Sequence, residues 1–227
     1  ESALIVGTFG RAIWVLDDLL SLRALASQQF TEPLTALPMN EVVQVKGLFI
    51  NPPGNIWTGF HTTFEGENRV FQRAEIPLYL SDEPTAKDSI SIQITNAKDE
   101  RIHEYKVGDL DRGLNYIPWK LDEKAHYLPG AWMNEETRGI PVLSGTYNVQ
   151  SRYKGVVATT KVKIIDDPRF EIPQSVEVEL YHFRKELDAL VKRFAEVYES
   201  LTILEEQYAE DPVKEAKIKA LKLAGRD

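Results

Sequence analysis

The stretch Ser89-Ile-Ser-Ile-Gln-Ile94 alternates polar and apolar residues without a break. Its three isoleucines therefore share one face, a pattern typical of a β-strand with one buried side. Similar short strands are predicted at 75–80, 101–107, 115–121, 145–153 and 156–165. Short strands at this spacing, separated by turn residues, predict a β-sandwich of the immunoglobulin-like kind over residues 70–166.

Two details predict where some of these strands lie. Pro118 has no N–H to donate to a neighbour, so its strand is expected at the edge of a sheet. Lys154-Gly155 separates the last two strands and predicts a hairpin turn. The large residues of the first hairpin strand, Tyr147, Val149 and Tyr153, are expected to face the core.

The C-terminal region, residues 175–227, changes from a period of two to a period of 3.5. Apolar residues recur at alternating steps of three and four, and mostly charged residues lie between them, which predicts a long helix that pairs with another. We treat this apolar stripe as a candidate interaction helix. It consists of Leu180, Phe183, Leu187, Leu190, Phe194, Val197, Leu201, Leu204 and Tyr208.

Asp211-Pro212 predicts the start of a second helix, with Asp as the N-cap and Pro in the first helical position. Its apolar positions Val213, Ala216, Ala220 and Leu223 are expected to pack back on the first helix. The sequence therefore favours a helical hairpin over an intermolecular coiled coil. The bulk of Phe183, Phe194 and Tyr208 also argues against a parallel dimer seam.

The N-terminal segment predicts two short strands, at 4–6 and 12–16, joined by a turn that contains Gly7 and Gly10. A lone hairpin is marginally stable in water. Residues 1–20 are therefore expected to belong to a larger β-domain. Residues 21–69 are predicted to form a connector with a short helix at 19–26 and one strand at 42–50, while Pro33 and Pro38 interrupt any other regular element.

Three segments resemble one protein family. Val6-Gly-Thr-Phe-Gly-Arg-Ala-Ile-Trp-Val-Leu-Asp-Asp18 resembles the end of the last blade in bacterial sortilin-like, BNR-repeat β-propeller proteins, although Phe9 stands where the family usually has His. Gly113-Leu-Asn-Tyr-Ile-Pro-Trp-Lys-Leu-Asp122 and Leu143-Ser-Gly-Thr-Tyr-Asn-Val149 resemble strands of the sandwich that follows the propeller. Many members of this family are described as glycosyl hydrolases.

The resemblance and the patterns together predict an α+β chain that is mainly β. Residues 1–20 would be a remnant of the last propeller blade, 21–69 the connector, 70–166 the sandwich and 175–227 the helical hairpin. The resemblance implies a non-catalytic module of an exported bacterial protein, which braces an upstream propeller domain or chain and mediates interaction. One alternative is a carbohydrate-binding accessory domain of a sialidase-like glycoside hydrolase. Another is a part of a peptide-binding sortilin-like propeller protein.

The composition excludes several other classes. The net charge of −8, with acidic and basic residues mixed, argues against nucleic-acid binding, which needs a basic patch. The chain has no cysteine, so thiolate catalysis and Cys-rich zinc sites are excluded. No apolar run is long enough to span a bilayer. The sequence indicates no cofactor.

No catalytic set is visible in the sequence. The adjacent carboxylates Asp17-Asp18, Asp82-Glu83 and Asp166-Asp167 are predicted to cap backbone groups at strand ends rather than to act as a glycosidase pair. His182 and Glu186 share a helix face, but two side chains are too few for a metal site.

A carbohydrate platform would need exposed aromatic rings. Trp132 and Tyr127, in the long loop 125–138, and Trp57 are the candidates for stacking on a glycan. The alternative is that these rings close the ends of the sandwich or pack on the propeller, and the sequence favours this second interpretation.

Overall fold

The computed structural model describes residues 3–10, 13–16, 18–27, 29–44, 74–124, 139–168 and 170–224. Within these ranges the chain is a mixed α+β structure, mainly sheet, as the sequence predicts. The strands are β1 (Leu4–Gly7), β2 (Ile13–Leu16), β3 (Leu34–Ala36), β4 (Val42–Gln44), β5 (Ala74–Leu80), β6 (Ile90–Thr95), β7 (Arg101–Val107), β8 (Gly113–Trp119), β9 (Gly145–Tyr153) and β10 (Val156–Asp166), and the helices are α1 (Leu19–Ser27), α2 (Gln174–Gln207) and α3 (Pro212–Ala224). The chain divides into two units, Glu1–Glu123 with Val142–Ile172, and Lys124–Pro141 with Pro173–Asp227.

The strands of the first unit form three sheets. A five-stranded sheet has the order β4-β10-β9-β6-β7, a three-stranded sheet has the order β3-β5-β8, and β1 pairs with β2. The short β4 runs parallel to β10, and the other pairings are antiparallel. Of the predicted strand 42–50, residues 45–50 lie outside the described ranges.

One hydrophobic core is shared by the two larger sheets. From the five-stranded sheet, Ile90, Ile92 and Ile94 are each fully buried, which confirms the face predicted from their alternation. From the three-stranded sheet, β5 and β8 contribute Ile76 and Trp119, which are also buried. Burial of apolar surface of this kind is the main driving force that stabilises a fold.

The hairpin between β9 and β10 turns at Lys154 and Gly155, whose φ angles are 45° and 84°. Positive φ at both central residues is the requirement of a type I′ turn, whose twist matches that of the flanking strands. Tyr147, Val149 and Tyr153 on β9 are all buried. The predicted hairpin and its inward-facing residues are therefore confirmed.

The prolines near β8 and β3 agree with one sequence prediction and contradict another. β8 is an edge strand, as the presence of Pro118 predicts. The prediction that Pro33 and Pro38 exclude regular structure between them is wrong, because β3 lies there and pairs with β5. Pro33 and Pro38 flank β3 and do not lie within it, so Leu34–Ala36 keep all their backbone donors for pairing.

Pro77 stands in the central strand β5, where a proline is rare. The backbone N–H of Leu37 donates to the Pro77 carbonyl at 3.0 Å. A regular antiparallel pair would exchange a second bond, which Pro77 cannot supply. The Thr160 hydroxyl supplies it instead, donating to the carbonyl of the fully buried Leu37 at 2.9 Å.

The second unit holds the two C-terminal helices. The Asp211 carboxylate accepts the backbone N–H groups of Val213 and Lys214 at 3.2 Å, so Asp211 is the N-cap of α3, as predicted. These bonds lower the pKa of Asp211, with the Lys214 backbone N–H as the largest cause.

α3 contacts α2 through a face that differs from the predicted stripe. Ile218 is buried, whereas Val213 and Leu223 are 65% and 58% exposed. The Lys222 ammonium pairs with the Glu205 carboxylate and lies 5.1 Å from the centre of the Tyr198 ring. The predicted inward stripe of α3 is therefore wrong, because the face that packs on α2 carries Lys214 and Lys222, whose long side chains contact α2 and Tyr208, together with the buried Ile218.

Candidate interaction surfaces

The pair of strands β1 and β2, which we call the ribbon, is apolar on both faces. Leu4 and Leu16 are paired, as are Val6 and Trp14, and these four side chains share one face. Ile5 and Ile13 lie on the other face. A strand that is apolar on both sides is typical of a sheet covered by layers on both sides.

The side chains of the ribbon are exposed on both faces. Ile5 and Ile13 are 68% and 74% exposed on one face, and Trp14 is 67% exposed on the other. Phe9, in the turn between the strands, is also fully exposed. A contiguous apolar surface of this kind marks a binding surface in soluble proteins.

Asp18, directly after the ribbon, joins it to the body of the first unit. Its carboxylate accepts the backbone N–H of Ser21 at 3.1 Å and also the Ser21 hydroxyl, which makes it the N-cap of α1. The Asn40 amide donates to it at 3.2 Å and the Tyr116 hydroxyl at 3.3 Å. One carboxylate therefore connects α1, the segment after β3 and strand β8.

The pKa of Tyr116 is also changed where it contacts Asp18. Burial, together with the nearby Asp18 carboxylate, raises the pKa of Tyr116 to about 12. The sequence predicts Asp18 as a capping residue, and the structure confirms that role. Ser21, Asn40 and Tyr116 were missed, because their partners are far away in the sequence and no local pattern marks them.

The predicted stripe of α2 is largely uncovered. Phe183, Leu187, Leu190 and Val197 are 51–61% exposed, and no residue of α2 is buried. Three residues of the stripe are partly buried: Phe194, Leu201 and Tyr208. Of these, Tyr208 lies beside α3, since the Lys214 ammonium is 4.4 Å from the centre of its ring.

The other carboxylate pairs have structural partners where they are described. Asp82 accepts the Lys154 ammonium at 2.6 Å, and Asp88 lies 3.4 Å from the same ammonium. Asp166 accepts the Ser144 hydroxyl at 2.9 Å. These partners are side chains, so the contacts of Asp82 and Asp166 are structural but do not test the predicted capping of backbone groups.

The aromatic candidates for glycan stacking, Trp57, Tyr127 and Trp132, lie outside the described residues, as does Asp17. Among the residues that the structure describes, no group of three or more His, Asp or Glu side chains is arranged to hold a metal ion. In the same part of the chain, no helix has the length and apolar character needed to cross a membrane.

No protein-family model matches the chain, and a search of the curated proteins finds no match. The exposed surfaces and the sequence motifs are therefore the features that bear on function.

Proposed function

We propose that this chain is a non-catalytic module of an exported bacterial β-propeller protein, which braces the propeller and mediates interaction. The observation that carries the proposal is the ribbon, which is apolar and exposed on both faces. The resemblance of Val6–Asp18 to the end of a last propeller blade supports the same partner.

The shape of the partner follows from the ribbon. Two strands with two apolar faces need further strands at an edge and a layer on each side. A propeller supplies both, because its blades are small sheets arranged radially around a channel, so each blade packs between two others. The ribbon would provide two strands of the last blade, and the propeller would provide the rest.

We propose an immunoglobulin-like sandwich for the body of the first unit. With β5, β6, β8, β9 and β10 taken as strands B, C, E, F and G, B pairs with E in one sheet while C, F and G are neighbours in the other, as in that fold. The Tyr147 hydroxyl, at the start of strand F, donates to the Leu143 carbonyl at 2.8 Å. A tyrosine corner makes a bond of this kind, so the contact supports the proposed fold.

The two C-terminal helices would form a helical hairpin. The restart at Asp211 and the Lys222 contacts with Glu205 and Tyr198 support this arrangement. The bracing role is supported by the first unit, where Asp18 binds α1 and β8 directly after the ribbon. A propeller that holds the ribbon would therefore be held close to the sandwich.

Hydrogen exchange and native mass spectrometry test this proposal. In the chain alone, ribbon amides should exchange much faster than those of β6 and β9. Mixing with the parent protein's propeller, prepared as a separate chain, should give a one-to-one complex in which the ribbon amides become protected.

Paired variants make the test specific. Ile13→Ser combined with Trp14→Ser should abolish the complex, because it removes apolar side chains from both faces. Val157→Ser is the control, since Val157 is an exposed apolar residue of β10, a strand that belongs to a different sheet from the ribbon. The proposal would be overturned if the wild-type chain formed no complex. It would also be overturned if Val157→Ser weakened the complex as much as the double substitution does.

A further inference from the structure

The C-terminal helices leave two apolar stripes uncovered. One is the α2 stripe from Phe183 to Val197, with 51–61% exposure at its most exposed residues. The other is on α3 and consists of Val213, Ala216, Ala220 and Leu223, all of which are exposed. Because α3 packs on α2 through Ile218 and Lys222, its apolar stripe lies on the side facing away from α2.

The side chains of the two stripes are complementary in size. The α2 stripe carries bulky side chains, whereas the centre of the α3 stripe consists of two alanines. Small residues on one helix allow close approach of large residues on the other. From Phe183 to Val197 the α2 axis rises about 21 Å, and the 13 residues of α3 span about 20 Å, so one α3 covers this stretch.

The charges of the two helices are complementary as well. α2 contains eight acidic and four basic residues, whereas α3 contains four lysines and one glutamate. Contact between two α2 helices would bring two acidic surfaces together. Contact between α2 and the α3 of another molecule joins an acidic helix to a basic one, as Glu205 and Lys222 already do within the chain.

We propose that two copies of this chain associate through these helices, with α3 of each copy lying on the α2 stripe of the other. Each copy makes the same contact with the other, so the two chains are related by a two-fold axis. Both α2 stripes and both α3 stripes are then covered, and no further copy can bind. The two α2 helices run antiparallel with the two α3 helices placed end to end between them. The α3 helices together span about 39 Å of an α2 helix that is about 51 Å long. This association is independent of the ribbon and of its partner.

Sedimentation of the full chain over a range of concentrations tests the dimer. The wild-type chain should sediment as a dimer. Leu187→Gln combined with Leu190→Gln should raise the dimer dissociation constant by more than about tenfold, because both exposed leucines lose their apolar contact with the partner. Circular dichroism should show unchanged helix content, since neither side chain is buried in the single chain.

Ile203→Gln is the matched control. Ile203 is 59% exposed, close to the 58% of Leu190, but it lies on a different side of α2. This variant should dimerise like the wild type. A wild-type chain that stays monomeric, or a dimer that survives the double leucine substitution, would overturn the proposal.

Disulfide trapping tests which helices meet. The chain has no cysteine, so each introduced one is the only thiol. Oxidising a mixture of Ala220→Cys and Leu190→Cys chains should give the mixed disulfide as the main product. Preferential self-coupling of the Leu190→Cys chain would show that α2 meets α2, and would contradict the exchange of α3.

Discussion

Strand β6 and the ribbon both carry isoleucine side chains, but in opposite surroundings. Ile92 of β6 is fully buried, whereas Ile5 of the ribbon is 68% exposed. β6 is a central strand and its isoleucines face the core shared by two sheets. The ribbon strands, in the described part of the chain, pair with each other alone. Apolar side chains thus favour a strand in both places, but only packing against a second layer makes that strand stabilising.

The largest expected effect comes from making the same substitution in both regions. Ile92→Ala should lower the free energy of unfolding by about 2–5 kcal/mol, because it leaves a cavity in a close-packed core. Ile5→Ala should change it by less than about 0.5 kcal/mol, as is usual at an exposed position. Urea denaturation of the isolated chain measures both. Similar losses for the two variants would mean that the ribbon is packed in the isolated chain, and the comparison would fail.

A second pair of variants tests how the core accommodates Pro77. Thr160→Val should cost about 1–3 kcal/mol of unfolding free energy, because the buried Leu37 carbonyl loses the hydroxyl that donates to it. Thr159→Val, on the exposed side of the same strand, should have an effect below about 0.5 kcal/mol. Equal effects of the two substitutions in urea denaturation would show that the Thr160 hydroxyl is not needed there.

The boundary between the ribbon and the body depends on Asp18. Asp18→Ala should reduce the unfolding free energy by about 1 kcal/mol, since α1 loses its N-cap. Asp18→Asn keeps an oxygen acceptor at the same place and should retain most of the stability. Thermal unfolding of both variants beside the wild type is the measurement, and an Asn variant as unstable as the Ala variant would contradict a capping role.

The smallest effect concerns Tyr116 and alkaline pH. Its pKa in the folded chain is about 12 against an ordinary value of 10. A raised pKa means that the protonated phenol contributes stability fully below pH 10, and this contribution is lost as the pH rises towards 12. Tyr116→Phe should therefore lose less stability than the wild type between pH 10 and 12.

Other phenols account for part of the slope that remains in that variant, because burial also raises the pKa of Tyr147 to about 12 and raises that of Tyr105 above its ordinary value. Melting temperatures recorded across this pH range, with Tyr147→Phe measured in parallel, separate the two phenols. If the melting temperature of Tyr116→Phe depended on pH as that of the wild type does, the Tyr116 phenol would make no pH-dependent contribution to stability.

Several parts of the fold could be read from local patterns. The alternation at residues 89–94, the Lys154-Gly155 turn and the Asp211-Pro212 helix start each depend on neighbouring residues, and each is confirmed. β3 was missed because its short run between two prolines looks irregular. Its pairing with β5 and the hydrogen bond from Leu37 to Pro77 are contacts between distant segments.

The candidate surfaces were predicted in part. The α2 stripe and the ribbon are visible as periodic apolar residues, but the pattern does not say which of them remain uncovered. On α3 the apolar stripe predicted the wrong inward face, because Lys222 and Ile218 make the contacts with α2. The Asp18 cluster combines residues separated by up to 98 positions, so local spacing could not reveal its Tyr116 partner.

By itself the sequence determined most of the segments that become strands and helices, β3 excepted, because periodicity, turn residues and caps act over a few neighbouring positions. Only the tertiary structure decided which of those apolar faces are buried. Burial depends on whether a second layer reaches the face, and that is a property of long-range contacts. Ile92 meets such a layer, whereas Ile5 and Leu190 remain exposed in the single chain.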